Sequence, residues 1–217
     1  MKEKTVIEKT KEFVRAKLEG EGSGHDWWHI VRVYNTAKCI GEKEKANLFI
    51  VELAALMHDI ADWKFHKDNE NLGAEITKQW LESLEVEEAV ISQVTQIVKT
   101  ISFKGGTVDS SQRSIEGKVV QDADRLDAIG AMGIARTFAY GGFKNREMYN
   151  PEKKPENYSS FEEYKNAEDT TINHFYEKLL LLKELMNTDM GRSLAEERHE
   201  YMESFLNEFY SEWEGLK

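Results

Sequence analysis

The chain has 217 residues, of which 40% are hydrophobic and 32% charged, and its formal net charge is -11. This length favours a single domain with a sizeable core, and the composition is that of a folded protein rather than a disordered one. The negative charge argues against a nucleic-acid polymer as partner, because phosphate backbones need a basic surface, but it allows a small phosphorylated substrate.

The sequence predicts neither a membrane span nor a secretory signal. No stretch approaches about 18 consecutive apolar residues, and the charged first residues are not followed by an apolar core. The single cysteine, Cys39, rules out an internal disulfide and is expected to be a buried thiol. We therefore expect a cytoplasmic protein with no membrane partner.

Apolar spacing predicts an all-α protein. A polar first helix ends before the Gly-rich segment 20–24, and the next helix begins near Asp26. Apolar residues then recur every three to four positions over Ala46 to Ile60 and again over Met190 to Trp213, as in amphipathic helices. Strand-type alternation is absent over any useful length. We expect one helical bundle formed by residues 1–217.

Two further irregular regions separate the later helices. Glycine and serine mark a flexible loop at 104–111. Gly141-Gly142 and the proline-containing stretch 150–159 mark a longer one, and the capping box at 160–163 begins the next helix. We expect this long region to flank a site rather than to join two domains.

Four residues of metal-binding type lie in predicted helices: His29, His58, Asp59 and Asp124. The His58-Asp59 pair ends an apolar run, where an imidazole and a carboxylate without partners would be costly to bury. A divalent cation held by two imidazoles and two carboxylates would compensate that cost. The alternative is that His29 is an ordinary residue of an amphipathic helix and His58-Asp59 a helix C-terminus.

Three segments resemble the signatures of the HD-domain metal-dependent phosphohydrolases. They are GHDWWHIVRV at 24–33, LMHDIAD at 56–62 and QDADRLDAIG at 121–130. The order of histidine, His-Asp pair and aspartate is that of the superfamily, which implies an HD-type helical bundle. ISFKGG at 101–106 and the tail from Asn173 through Thr188 and Arg198 resemble a small bacterial subfamily with nucleotide pyrophosphohydrolase activity. The resemblance covers about residues 23–210, with the signature region at about 23–130 and a C-terminal helical part at about 160–215.

The resemblance implies a metal site with one ion. Its four ligands would be His29, His58, Asp59 and Asp124. Members of the superfamily with two metals carry extra histidines before the last aspartate, whereas this chain has one histidine there, His66. We expect one divalent ion, Mn²⁺ first, although Mg, Fe, Co or Ni would fit the same ligands.

Two neighbouring carboxylates, Asp122 and Asp127, are rivals of Asp124 for the last ligand position. Asp124 is chosen because it occupies the position of the family. Asp127 lies three residues later on the same helical face, so it could instead orient a ligand or Arg125.

The resemblance and the positions of other residues suggest further roles. Asp62 would position or deprotonate the attacking water, as the acid at this place does in related enzymes with one metal; the alternative is a solvated acid just past a helix end. Cations that could stabilise charge on the phosphoryl oxygens are Arg32, Lys64, Lys104 and Arg125. Residues that could contact phosphate or line the pocket are His25, His66 and His174.

The function implied by the subfamily resemblance is hydrolysis of a nucleoside or deoxynucleoside triphosphate to monophosphate and pyrophosphate through a metal-activated water. The alternatives are a nucleoside 5'-monophosphate phosphatase, an alarmone hydrolase and a metal-containing nucleotide sensor without turnover. Alarmone hydrolases usually carry a Glu-Asp pair shortly after the His-Asp pair, where this chain has Ile60-Ala61-Asp62. The expected partner is a small phosphorylated nucleotide, and the apolar C-terminal helices could form a homodimer.

Overall fold

The computed structural model describes residues 2–20, 26–61, 71–101, 111–156 and 170–217, and these residues form helices and no β-strand. The prediction of an all-α protein is confirmed. The chain divides into two compact units, of which the first extends to Ala123 and the second begins at Asp124. That residues 1–217 form a single domain stays a prediction.

The first unit is organised around one apolar helix. Its helices are α1 (Glu3–Leu18), α2 (Trp27–Lys43), α3 (Leu48–Met57), α4 (Leu72–Ser83), α5 (Glu88–Thr100) and the larger part of α6 (Ile115–Asp127). Helix α3 packs against α1, α2 and α5. Seven of its ten residues are buried, as expected for a helix that other helices surround.

Side-chain contacts connect the helices of this unit. Trp80 of α4 stacks on Phe13 of α1 with 4.1 Å between ring centroids, and its indole nitrogen donates a 3.0 Å hydrogen bond to Thr10 Oγ1. Tyr34 of α2 donates a short hydrogen bond to the carboxylate of Glu52 in α3. Burial raises the pKa of Tyr34, and the bond to Glu52 raises it further. Polar contacts between helices therefore complement the apolar core.

The second unit packs a long C-terminal helix against α7. After the end of α6 it contains α7 (Gly130–Phe143), α8 (Asn173–Glu177), a 3-10 helix (Leu179–Leu185) and α9 (Asp189–Trp213). Helix α9 contacts both α7 and the 3-10 helix. The rings of Phe138, Phe175 and Phe205 lie with centroids 5.8–6.1 Å apart and form an aromatic cluster in this unit.

Three local expectations were wrong. Gly141-Gly142 does not form a loop but lies in the last turn of α7. A Cβ atom at Gly141 would meet Thr171 Oγ1, so the glycine there serves a close contact rather than a turn. Helix α3 ends at Met57 instead of continuing to Ile60. Cys39 is exposed rather than buried.

The proposed capping box at 160–163 lies outside the described residues. Among the described helices, none has the length and apolar character needed to cross a membrane.

Candidate metal centre

His29 enters the site from the first turn of α2. Asp26 is the N-cap of this helix, and its Oδ1 accepts a hydrogen bond from the main-chain N–H of His29 at 2.9 Å. Asp26 has an extended backbone, with φ of -79° and ψ of 174°, which is the usual conformation of an N-cap residue. The side chain of His29 is then fully buried, as is the next residue, Ile30.

His58 and Asp59 enter the site at the C-terminal end of α3. His58 is the C-cap of α3, and Asp59 follows in the turn formed by residues 58–61. The preceding residues Leu53 to Met57 are almost completely buried, so this apolar helix fixes the starting point of the turn. Both side chains therefore lie where the apolar helix α3 ends.

The three side chains bring one donor atom each to a common point. His29 Nε2 lies 3.3 Å from His58 Nε2, and Asp59 Oδ2 lies 3.4 Å from His29 Nε2 and 3.5 Å from His58 Nε2. The centre of a triangle with these sides is about 2 Å from each corner, which is the length of a metal–ligand bond. We call these three atoms the donor triangle. Within the described residues, it is the group of three His, Cys, Asp or Glu side chains that could hold a metal ion.

The donor nitrogen of His58 is selected by a main-chain contact. His58 Nδ1 lies 2.8 Å from the carbonyl oxygen of Ala55. A carbonyl oxygen can only accept a hydrogen bond, so Nδ1 carries the proton and the neutral ring presents a lone pair at Nε2. This is the arrangement usually found for histidines that bind metals.

The spacing and burial of the donor triangle fit a bound cation better than a hydrogen-bonded cluster. Hydrogen bonds from nitrogen to oxygen have lengths of about 2.7–3.2 Å, and the two nitrogen–oxygen sides of the triangle, at 3.4 and 3.5 Å, are longer. The Asp59 side chain is 13% exposed and the two imidazoles 1% each. A carboxylate buried to this degree needs a positive charge nearby, which a divalent ion would supply. The residues present therefore fit a divalent metal.

Asp124, the predicted fourth ligand, is partly buried near the end of α6. It is the first residue of the second unit, and its role as a ligand stays a prediction. Its rival Asp127 has a strong partner, because Arg136 Nη1 lies 2.6 Å from Asp127 Oδ2. The other rival, Asp122, is fully buried.

Arginines bind the main chain at the end of α6. Arg136 Nη1 donates to the carbonyl of Asp127 at 3.2 Å, and Arg198 of α9 donates a short hydrogen bond to the carbonyl of Leu126. Burial lowers the pKa of Arg198, while the charge of Asp127 acts in the opposite direction. The last carbonyls of a helix have no partners within it and carry partial negative charge, so cationic donors stabilise this end.

The other predicted site residues are only partly described. Arg32 is half-buried on α2, one turn after His29, and His174 is half-buried on α8. Arg125 donates a short hydrogen bond to the carbonyl of Leu185. Their predicted roles with substrate stay predictions. Five predicted residues lie outside the described part of the chain: His25, Asp62, Lys64, His66 and Lys104.

Sequence reasoning gave no role to two residues beside these groups, Asp26 and Arg136. Aspartate is a preferred N-cap residue, and its position three residues before His29 was a signal that could have been used. No comparable pattern identifies Arg136, which reaches Asp127 across the break between α6 and α7.

The chain is similar to proteins of a known family. The family model of the HD domain matches residues 27–129. The chain is 42% identical to YpgQ of Bacillus subtilis over 100% of its own length and 98% of that protein.

Solved structures show the same similarity. A crystal structure of an HD-superfamily hydrolase from Bacillus thuringiensis is 47% identical and superposes with a TM-score of 0.79, covering 98% of both chains. The structure of B. subtilis YpgQ in complex with ADP superposes with a TM-score of 0.75 at 38% identity, covering 97% of this chain and 100% of YpgQ.

Proposed function

This chain belongs to the HD-domain superfamily of hydrolases, and we propose that it is a metal-dependent phosphohydrolase that converts nucleoside or deoxynucleoside triphosphates to monophosphate and pyrophosphate. The observation that carries the proposal is the donor triangle, in which two imidazole nitrogens and one carboxylate oxygen lie 3.3–3.5 Å apart. These are ligands that Mn²⁺ and similar divalent ions accept.

The donor triangle leaves part of a metal's coordination shell to other groups. Three protein donors occupy half of an octahedral shell, and Asp124, proposed from the family resemblance, would be a fourth. A bound divalent ion supplies Lewis acidity, which polarises a phosphoryl oxygen and acidifies water. The residues of this chain hold the donors in position: Ala55 fixes the ring of His58, and Asp26 bonds to the main chain of His29.

The proposed substrate class rests on the relatives. YpgQ has been crystallised with ADP, and its sequence aligns with this chain over nearly the whole length of both. A nucleotide with a phosphate chain is therefore the substrate class we propose here. Within that class we assign water activation to Asp62 and charge stabilisation to Lys104 and Arg125, with contacts to the phosphate chain from Arg32 and His174. We assign similar contacts to His25, Lys64 and His66.

A substrate panel with product identification tests this proposal. The purified protein is stripped of metal, resupplied with Mn²⁺, and incubated with nucleoside triphosphates, deoxynucleoside triphosphates, monophosphates and alarmones. Release of pyrophosphate and monophosphate from triphosphates is the expected result. Release of orthophosphate from monophosphates would instead indicate a nucleoside monophosphate phosphatase. Release of pyrophosphate from alarmones but from no other substrate would indicate an alarmone hydrolase. Metal binding without turnover of any substrate would leave a nucleotide sensor.

Matched histidine variants test whether the donor triangle carries the activity. His58→Ala should abolish both metal binding and hydrolysis, because it removes one of three converging donors. His199→Ala makes the same substitution in α9, outside the donor triangle, and should leave both unchanged. Retained activity in His58→Ala would overturn the ligand assignment.

A further inference from the structure

All three residues of the donor triangle lie at helix ends. His29 is the third residue of α2, and His58 and Asp59 directly follow α3. Helix ends fray, because the first N–H groups and the last carbonyls have no partners within the helix. Metal ligands, in contrast, must be held to within about 0.5 Å of their working positions. Each end therefore needs a local restraint, and for His58 it is the bond to Ala55.

The restraint on His29 comes from Asp26. Asp26 Oδ1 accepts from the His29 N–H at 2.9 Å, and the Asp26 carbonyl accepts from the Ile30 N–H at 3.3 Å. The capping bond therefore ends on the main chain of the ligand residue itself. We propose that Asp26 is a positioning residue for the metal site: its bond to His29 holds Nε2 at the donor triangle, so its loss weakens metal binding. The inference rests on the proposed function only in requiring that the triangle binds a divalent ion.

Packing covers only part of the first turn of α2, because the side chains of His29 and Ile30 are buried while a neighbouring one is not. Trp28, directly before His29, is 61% exposed. The ring of His29 packs edge-on against that of His58, with centroids 5.3 Å apart, but His58 is a member of the same triangle. The Asp26 bond thus ties the His29 main chain to a group outside the triangle.

Substitutions of the cap separate its hydrogen bond from its charge. Asp26→Ala removes the acceptor and should raise the dissociation constant for Mn²⁺ about tenfold, the lower range seen when a partner of a metal ligand is removed. Asp26→Asn keeps an acceptor that caps helices as well as aspartate does, so Mn²⁺ affinity should return to within about threefold of wild type. If alanine prevents folding, Asp26→Gly removes the acceptor at little cost in helix stability and should weaken binding like alanine.

Asn47→Ala is the matched control. Asn47 is the N-cap of α3, and its side chain accepts from the Phe49 N–H at 3.1 Å. It lies at the end of α3 opposite His58, so its loss should lower the thermal unfolding midpoint as much as Asp26→Ala does without changing Mn²⁺ affinity. A residue with a merely structural role would behave like Asn47.

The experiment titrates each metal-free protein with Mn²⁺ alone, measures free Mn²⁺ by electron paramagnetic resonance, and follows thermal unfolding by circular dichroism. Weakened binding in Asp26→Ala, with recovery in Asp26→Asn and none of the loss in Asn47→Ala, is the expected result. An unchanged dissociation constant in Asp26→Ala, an equal loss in Asn47→Ala, or no recovery in Asp26→Asn would overturn the inference. Wild-type protein that binds no Mn²⁺ would overturn the metal site together with the inference, so the two failures are distinguishable.

Discussion

Replacing Gly130 with alanine should destabilise the second unit for two separable reasons. Gly130 has a positive φ of 72°, a conformation that side chains disfavour. A Cβ atom there would also lie 2.9 Å from Arg198 Cγ and 3.0 Å from Arg198 Cβ. Carbon atoms in contact normally lie about 3.5–4.0 Å apart, so the arginine would have to move.

The two costs can be estimated separately. The left-handed backbone costs an alanine about 1–2 kcal/mol. Displacing Arg198 weakens its hydrogen bond to the carbonyl of Leu126, and a bond to a charged group is worth about 1.5–3 kcal/mol. We therefore expect Gly130→Ala to lower the free energy of unfolding by about 2–4 kcal/mol.

A double-mutant cycle with Arg198→Ala isolates the second cost. In that background the hydrogen bond and the contact with Cγ are gone, and one close contact with Cβ remains. Gly130→Ala should then cost about 1–2 kcal/mol less than it does in wild type, a coupling typical of residues in contact.

Urea unfolding followed by circular dichroism measures the four proteins, and Gly142→Ala is the control. Gly142 is also in α7, but a Cβ atom there meets nothing within 4 Å, so alanine should be neutral or stabilise by up to about 1 kcal/mol. If Gly130→Ala lowers the free energy of unfolding equally in wild type and in the Arg198→Ala background, the contact with Arg198 does not contribute to the cost. That result would refute the explanation by displacement of Arg198.

Three other predictions follow from the fold and the site. Burial and the bond to Glu52 raise the pKa of Tyr34, so the folded state binds the phenol proton more tightly than the unfolded state does. The stability that this proton contributes is complete below about pH 10, the pKa of an unperturbed tyrosine, and is lost as the pH rises above that value. Urea midpoints between pH 8 and 11 should fall less steeply in Tyr34→Phe than in wild type, and equal slopes would contradict this. Burial also raises the pKa of Tyr210, which therefore contributes to the slope that remains. Leu53→Ala at a fully buried position should cost about 2–5 kcal/mol in urea unfolding, and a cost below about 1 kcal/mol would place Leu53 outside the core. Adding Mn²⁺ at about 100 times its dissociation constant should stabilise the metal-free protein by about 2.7 kcal/mol, whereas an unchanged thermal midpoint would argue against binding to the folded state.

Helix positions were predictable where apolar periodicity is strong. The C-terminal helix was expected over Met190 to Trp213 and spans Asp189–Trp213. Helix α3 was expected to be longer than it is, because apolar periodicity registers neither a capping side chain nor the point where the chain turns. The Asn47 side chain caps its beginning, and the chain turns at His58.

The donor triangle was predictable from residue types and their order, but its geometry was not. His29, His58 and Asp59 were chosen as candidates without any indication of which ring nitrogen would face the ion, because a main-chain carbonyl makes that selection. The arginines that bind the carbonyls at the end of α6 could not be predicted either. Arg198 reaches the carbonyl of Leu126 from 72 positions away, and no local pattern predicts such a contact.

The bond from His58 to Ala55 has a consequence for how this site can change during evolution. The acceptor is a main-chain carbonyl, which every amino acid possesses, so no substitution at position 55 can delete it. Substitutions there can act only through packing, since Ala55 is fully buried and a larger side chain would have to displace its neighbours. The bond that orients the imidazole therefore survives any substitution at position 55 that the core can accommodate, whereas the bond to the His29 main chain requires an acceptor side chain at position 26.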